Sequence, residues 1–100
     1  MANTFKVLAR GQNITTASAV YTVPASTTTL VNNILIANTT ASAQSYDIAF
    51  NDVNAAIGVN VPANDTAVLD IKQVLTTTQT IKLHGSSASV AFHVSGLEIT

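Results

Sequence analysis

One hundred residues with four Lys or Arg, five Asp or Glu and no Cys exclude several classes of protein at once. Four scattered cations cannot neutralise a phosphate backbone, and an apolar content of 47% with a net charge of −1 is wrong for a disordered chain. Without thiols there is neither a disulfide framework nor thiolate chemistry.

From the N terminus, Phe5 and Val7 share one parity and Lys6, Leu8 and Arg10 the other. Period two over a short run is the signature of a half-buried strand. Leu8 then falls between two cations on the expected wet face, either as a lone surface Leu or as an anchor for a neighbouring subunit. Gly11-Gln12-Asn13 and Pro24-Ala25-Ser26 read as turns. From Arg10 to Asp47 no charged residue intervenes, and Leu30 to Ala37 is almost wholly apolar around Ile34-Leu35-Ile36. A strand apolar on both parities is expected to be covered on both faces, by its own partner sheet and by another subunit.

After a turn at 39–42, Tyr46, Ile48 and Phe50 alternate with Asp47, Ala49 and Asn51. A turn at 51–54 leads to the alternation of Ile57, Val59 and Val61, and Pro62-Ala63-Asn64-Asp65 to that of Leu69 and Ile71. Turns at 76–78 and 85–87 bracket Ile81 and Leu83, and Val90, Phe92 and Val94 follow. The parity then changes to Leu97 and Ile99, which predicts a β-bulge or bend at Gly96. No stretch has a helical period. About eight strands at spacings near ten residues predict an all-β, single-domain antiparallel β-sandwich, jelly-roll-like. The domain is read as 1–100, with 1–4 as a candidate N-terminal arm.

"VPASTTTLVNNILIANTT" from Val23 echoes "VPANDTAVLDIKQVLTTT" from Val61. Duplication and convergent turn chemistry account for the echo equally well. Pro suits a turn that leaves a strand because it fixes φ and has no N–H for a ladder.

Little points to chemistry. His84 and His93 fall on the solvent parity of late strands, with no carboxylate beside them in sequence and no nucleophile elbow anywhere. Asn51, Asp52 and Asn54 in one loop, with Asp65 and Asp70 further on, are too few carboxylates for calcium and read as Asx-type turns. A glycan site would need an exposed ring; with no Trp, the candidates are Tyr21 and Tyr46. The sequons at Asn13, Asn38 and Asn64 are no more than chance in a chain rich in Asn and Thr. No enzyme activity, cofactor or metal is expected. The chain has no signal peptide pattern and no run of about 20 apolar residues to cross a membrane. Phe5, Leu8, Arg10 and Leu35 are the candidate interface residues.

"VYTVPASTTTLVNNILIANTT", "VPANDTAVLDIKQVL" and the closing "FHVSGLEIT" resemble small virion structural proteins of tailed bacteriophages. The resemblance covers most of the chain and implies a structural protein without catalysis. On that reading it is a capsid decoration or cement protein that binds the outer shell at capsomer junctions. Alternatives are a tail, neck or fibre-associated protein or, in a different class, a carbohydrate-binding β-sandwich module. The implied partners are the major capsid protein or other virion proteins, and copies of the same chain, with a trimer favoured. Neither nucleic acid nor membrane is implied. The implied location is the virion, assembled in the host cytoplasm.

Overall fold

The computed structural model describes residues 3–12, 14–16 and 18–100. Their strands are β1 (Asn3–Gly11), β2 (Ser18–Thr22), β3 (Thr28–Asn38), β4 (Gln44–Phe50), β5 (Val53–Val61), β6 (Thr66–Leu69), β7 (Gln73–Leu75), β8 (Thr80–Gly85) and β9 (Val90–Ile99). They form two antiparallel sheets. One runs β1-β9-β3-β6, with β7 also paired to β3, and the other runs β2-β8-β4-β5. We call these sheet A and sheet B. Chain neighbours β1 and β2 lie in different sheets, and β9 returns to lie between β1 and β3. This is the jelly-roll order expected from the sequence. Strands β6 and β7 pair with the two halves of β3, so they share one lane, and the nine strands occupy eight lanes.

The alternation that predicted strands also fills the core. Ile34 and Ile36 of β3, Ile48 of β4, Ile81 and Leu83 of β8, and Phe92 and Val94 of β9 are all buried, as side chains of one parity should be when two sheets pack face to face. The Asn51–Asp52 turn joins β4 to β5 with both residues at positive φ, 50° and 62°. That is the two-residue hairpin geometry whose twist matches the flanking strands, and Asn and Asp tolerate it. The two halves of the sequence echo carry the same special residue: Ser26 at φ 55° and Asn64 at φ 54°. Each follows Val-Pro-Ala, with the Val buried (Val23, Val61) and the Pro exposed. The echo is a repeated turn that delivers β3 and β6 to the same sheet.

The structure corrects the reading of β1. Register shifts between Val7 and Ala9 against β9, so Leu8 is the extra residue of a bulge and its side chain joins Ala9 on the inside. Leu8 is 8% exposed and part of the core, whereas Phe5 is 86% exposed. Leu8 is therefore not a surface anchor, and Phe5 and Val7 are not core. A single inserted residue reverses the face assignments on one side of it, so Phe5 and Val7 turn outward while Arg10 stays on the wet face.

The bulge predicted at Gly96 lies instead in both neighbours of β9. The extra residues are Leu8 of β1 and Asn32 of β3. β9 runs straight through, and Leu97 stays on the outside. Gly96 itself is needed for closeness: a Cβ there would lie 2.3 Å from the Leu30 carbonyl oxygen and 2.9 Å from Leu8 Cδ1. Of the candidate arm, Asn3 and Thr4 belong to β1, paired with Ile99 and Glu98; Met1 and Ala2 lie outside the described residues. No helix among the described residues is long and apolar enough to cross a membrane.

Candidate functional site

Register assigns the outward side chains of sheet A to rows. Phe5 pairs with Leu97, Leu97 with Leu30, and Leu30 with Val74. This row of four apolar side chains crosses the whole sheet. Cross-strand neighbours on one face lie about 5 Å apart, so they form one continuous strip. Phe5 and Val74, at its two ends, are 86% and 63% exposed. The next row holds Val7, Ser95 and Asn33. The row beyond it holds Arg10, His93, Leu35 and Val68.

Two hollows mark the face. One, about 360 Å³, is lined by Phe5, Val7, Leu30, Asn32, Ser95 and Leu97, with Lys6 at its rim and Gly96 in its floor. The other, about 230 Å³, is lined by Arg10, Gly11, Gln12, Ala91 and His93. In the second, Arg10 Nε donates to His93 Nδ1 at 3.1 Å. Of the four interface residues expected from sequence, the structure thus gathers Phe5, Arg10 and Leu35 on one face and removes Leu8 to the core. Leu97, Leu30, Val74 and Val68 were missed. The two-sided apolar run of β3 was the signal for Leu30; the others required the register.

Polar chemistry lies elsewhere. On the outside of sheet B, Lys82 Nζ meets Asp52 Oδ1 at 2.6 Å and His84 Nε2 meets Asp47 Oδ2 at 3.3 Å. Asp47 Oδ1 accepts the Gly58 N–H at 2.7 Å, and Gly58 has φ 59° at the β5 bulge opposite Asp47. The histidine and carboxylate that were separate in sequence are brought together by the β4–β8 register. The contacts of that carboxylate tie β4 to β5 through Gly58 and to β8 through His84.

Between the sheets, the Tyr21 hydroxyl donates to Glu98 and shares a 2.8 Å hydrogen bond with Thr29 Oγ1. Lys6 Nζ lies 3.3 Å from Glu98 Oε1. The Tyr21 hydrogen bond holds the Glu98 carboxyl below its ordinary value, with Lys6 adding to the effect. Burial, then the bond to Glu98, pushes Tyr21 up to about 12. Tyr21 is thus a cross-sheet tie, and Tyr46 is buried. Neither ring is an open platform for a sugar.

Asp70 is paired with Lys72 at 2.8 Å, and Asp65 Oδ1 accepts the Thr66 N–H. Among the described residues no three His, Asp or Glu gather as a metal site. Asn38 is buried, its Nδ2 directed at the Ser42, Val61 and Pro62 carbonyls, so this sequon is a structural hub. Asn64 is the positive-φ turn residue, and Asn13 lies outside the described residues. Comparison with family models and with curated proteins gives no match.

Proposed function

We propose that the chain is a non-enzymatic structural protein of a tailed-phage virion, a capsid decoration or cement protein that docks on the shell through the outer face of sheet A. The phage assignment rests on the sequence resemblance. The docking role is supported by one observation above all, the apolar row Phe5-Leu97-Leu30-Val74, exposed at Phe5 and Val74 and half-buried at Leu97 and Leu30. Fully burying an exposed Phe or Val side chain is worth about 1.5–3 kcal/mol, so Phe5 and Val74 offer most of the driving force to a complementary surface, and Leu97 and Leu30 add the part of their surface still open. Self-association, as a trimer, is part of the same proposal.

The test uses capsids of the encoding phage assembled without this protein. The protein should bind them in saturable fashion and raise their temperature of disruption. Phe5→Asp should fold normally and fail to bind. Bare capsids that resist heat equally well, or that bind the Phe5→Asp protein as tightly as the original, would sink the proposal.

A further inference from the structure

We infer that the outer face of sheet A is built for a heterologous protein surface that presents an apolar side chain and a carboxylate together, the carboxylate being held by Arg10 and His93. The inference rests on the docking role proposed above and names the chemistry of what docks.

Charge on this face is one-sided. Of the acids, Asp47 and Asp52 lie with sheet B, Asp65 and Asp70 flank β6, and Glu98 turns inward to Tyr21. Only Asp70, already paired with Lys72, follows the outward parity of Val68, at the edge of sheet A opposite to β1. Each lysine already has a carboxylate: Lys6 has Glu98, Lys72 has Asp70 and Lys82 has Asp52. Arg10 differs. Its side-chain partner is the Nδ1 of His93, and an imidazole that accepts at Nδ1 is left with Nε2 as its donor. The guanidinium keeps its terminal nitrogens for another acceptor, in the planar fork that fits a carboxylate with two parallel bonds. Arg10 and His93 therefore present donors to the hollow they share.

The apolar hollow at Phe5, Leu30 and Leu97 lies on the same face. Leu97 and His93 are four residues apart in β9, about 13 Å at the rise of a strand. The row between them is Val7, Ser95 and Asn33, which adds no charge. A partner that satisfies both hollows carries an apolar group and an Asp or Glu at that separation.

This polarity argues against the alternatives. Two copies packed face to face would bring two Arg10–His93 pairs against surfaces whose edge carboxylate, Asp70, is already held by Lys72, and desolvating an unpaired cation is unfavourable. An anionic membrane is normally gripped by a cluster of basic residues, and this face has a single arginine.

The full chain, labelled with nitrogen-15, can be titrated with 8-phenyloctanoate below its micelle concentration, with 8-phenyloctanol and with the trimethylammonium analogue. The carboxylate should shift the amides of Leu30 and Leu97 together with those of Gly11, Ala91 and His93. The alcohol and the ammonium compound should bind at least tenfold more weakly. Arg10→Gln should remove the preference for the carboxylate; Arg10→Lys, which keeps the charge and loses the fork, should retain only part of it. Equal binding of carboxylate and alcohol would overturn the carboxylate clasp and leave the docking face standing. Shifts confined to sheet B would overturn both. Self-association in sedimentation that disappears in Arg10→Gln would make a second copy the occupant. Arg10-dependent binding to phosphatidylserine vesicles would make it a membrane. Either result overturns the inference.

Discussion

On the outside of sheet B, Lys82 faces Asp52 and His84 faces Asp47, with Ile57 as the exposed apolar side chain beside them; on the outside of sheet A the rows are Phe5-Leu97-Leu30-Val74, Val7-Ser95-Asn33 and Arg10-His93-Leu35-Val68. The inner faces of the two sheets are alike, both filled with Ile, Leu, Val and Phe. The difference lies wholly on the side that does not pack in the monomer. Stability of the monomer requires only one apolar face per sheet, so the exposed Phe5, Val7, Val68 and Val74 on the outside of sheet A are not explained by folding. Contiguous exposed apolar surface of this kind marks interaction sites. The ion-paired face of sheet B is suited to water, since exposed pairs add solubility and little else.

The contrast can be broken most severely at β1. Leu8→Asp places a charge in the core and should unfold the protein, with a loss above about 4 kcal/mol. Leu8→Ala should cost about 2–4 kcal/mol, while Phe5→Ala, four-fifths or more in solvent, should stay within about 0.5 kcal/mol. Urea denaturation of the three variants measures which side of β1 is inside. Equal losses for Leu8→Ala and Phe5→Ala would mean the bulge is misplaced.

Gly96→Ala comes next. Its methyl would meet the backbone oxygen of Leu30, which cannot swing aside as a side chain can. A loss of about 1–3 kcal/mol is expected for such overpacking. Because Leu30 belongs to the apolar row, the same variant should weaken docking, which separates it from an ordinary core mutation.

Tyr21→Phe should cost about 1–2 kcal/mol by removing a part-buried hydrogen bond to a carboxylate. Glu98 sits below its ordinary value in the fold, first through Tyr21. Its contribution is therefore present above the unfolded carboxyl value and is lost as pH falls through the folded one. Tyr21, raised to about 12, contributes fully below its ordinary value near 10 and loses that contribution as pH rises through 12. Melting temperature against pH should fall at both ends in the parent, and less steeply at both in Tyr21→Phe. An unchanged profile would remove Tyr21 and Glu98 as the tie between sheets.

The smallest effect belongs to sheet B. Lys82→Ala breaks the exposed pair with Asp52 and should change stability by no more than about 1 kcal/mol, with no effect on docking. A large loss of docking there would erase the distinction between the faces.

Much of the architecture was legible because period two is strict. Ile81, Leu83, Val90, Phe92 and Val94 are buried as their parity predicts, and turn residues separate the strands. Parity failed wherever one residue was inserted. Leu8 and Asn32 each stand as an extra residue in one strand of a pair, and no local signal marks either. The break between β6 and β7 was also hidden, because Leu69 and Ile71 keep the alternation across it. The proposed docking face was half legible. The two-sided apolar run of β3 implied a covering surface, but Phe5, Leu97 and Val74 become neighbours only through long-range register.

The interruption at Asp70-Ile71-Lys72 has a kinetic consequence. The edge lane beside β3 consists of two short strands, each paired separately. Either one can detach while its companion stays zipped, so amide protons along that border should exchange with solvent well before those buried between β3 and β9. A protease that needs an extended stretch of backbone would gain its first foothold at this border, while β9, flanked on both sides, would be cut only after global unfolding.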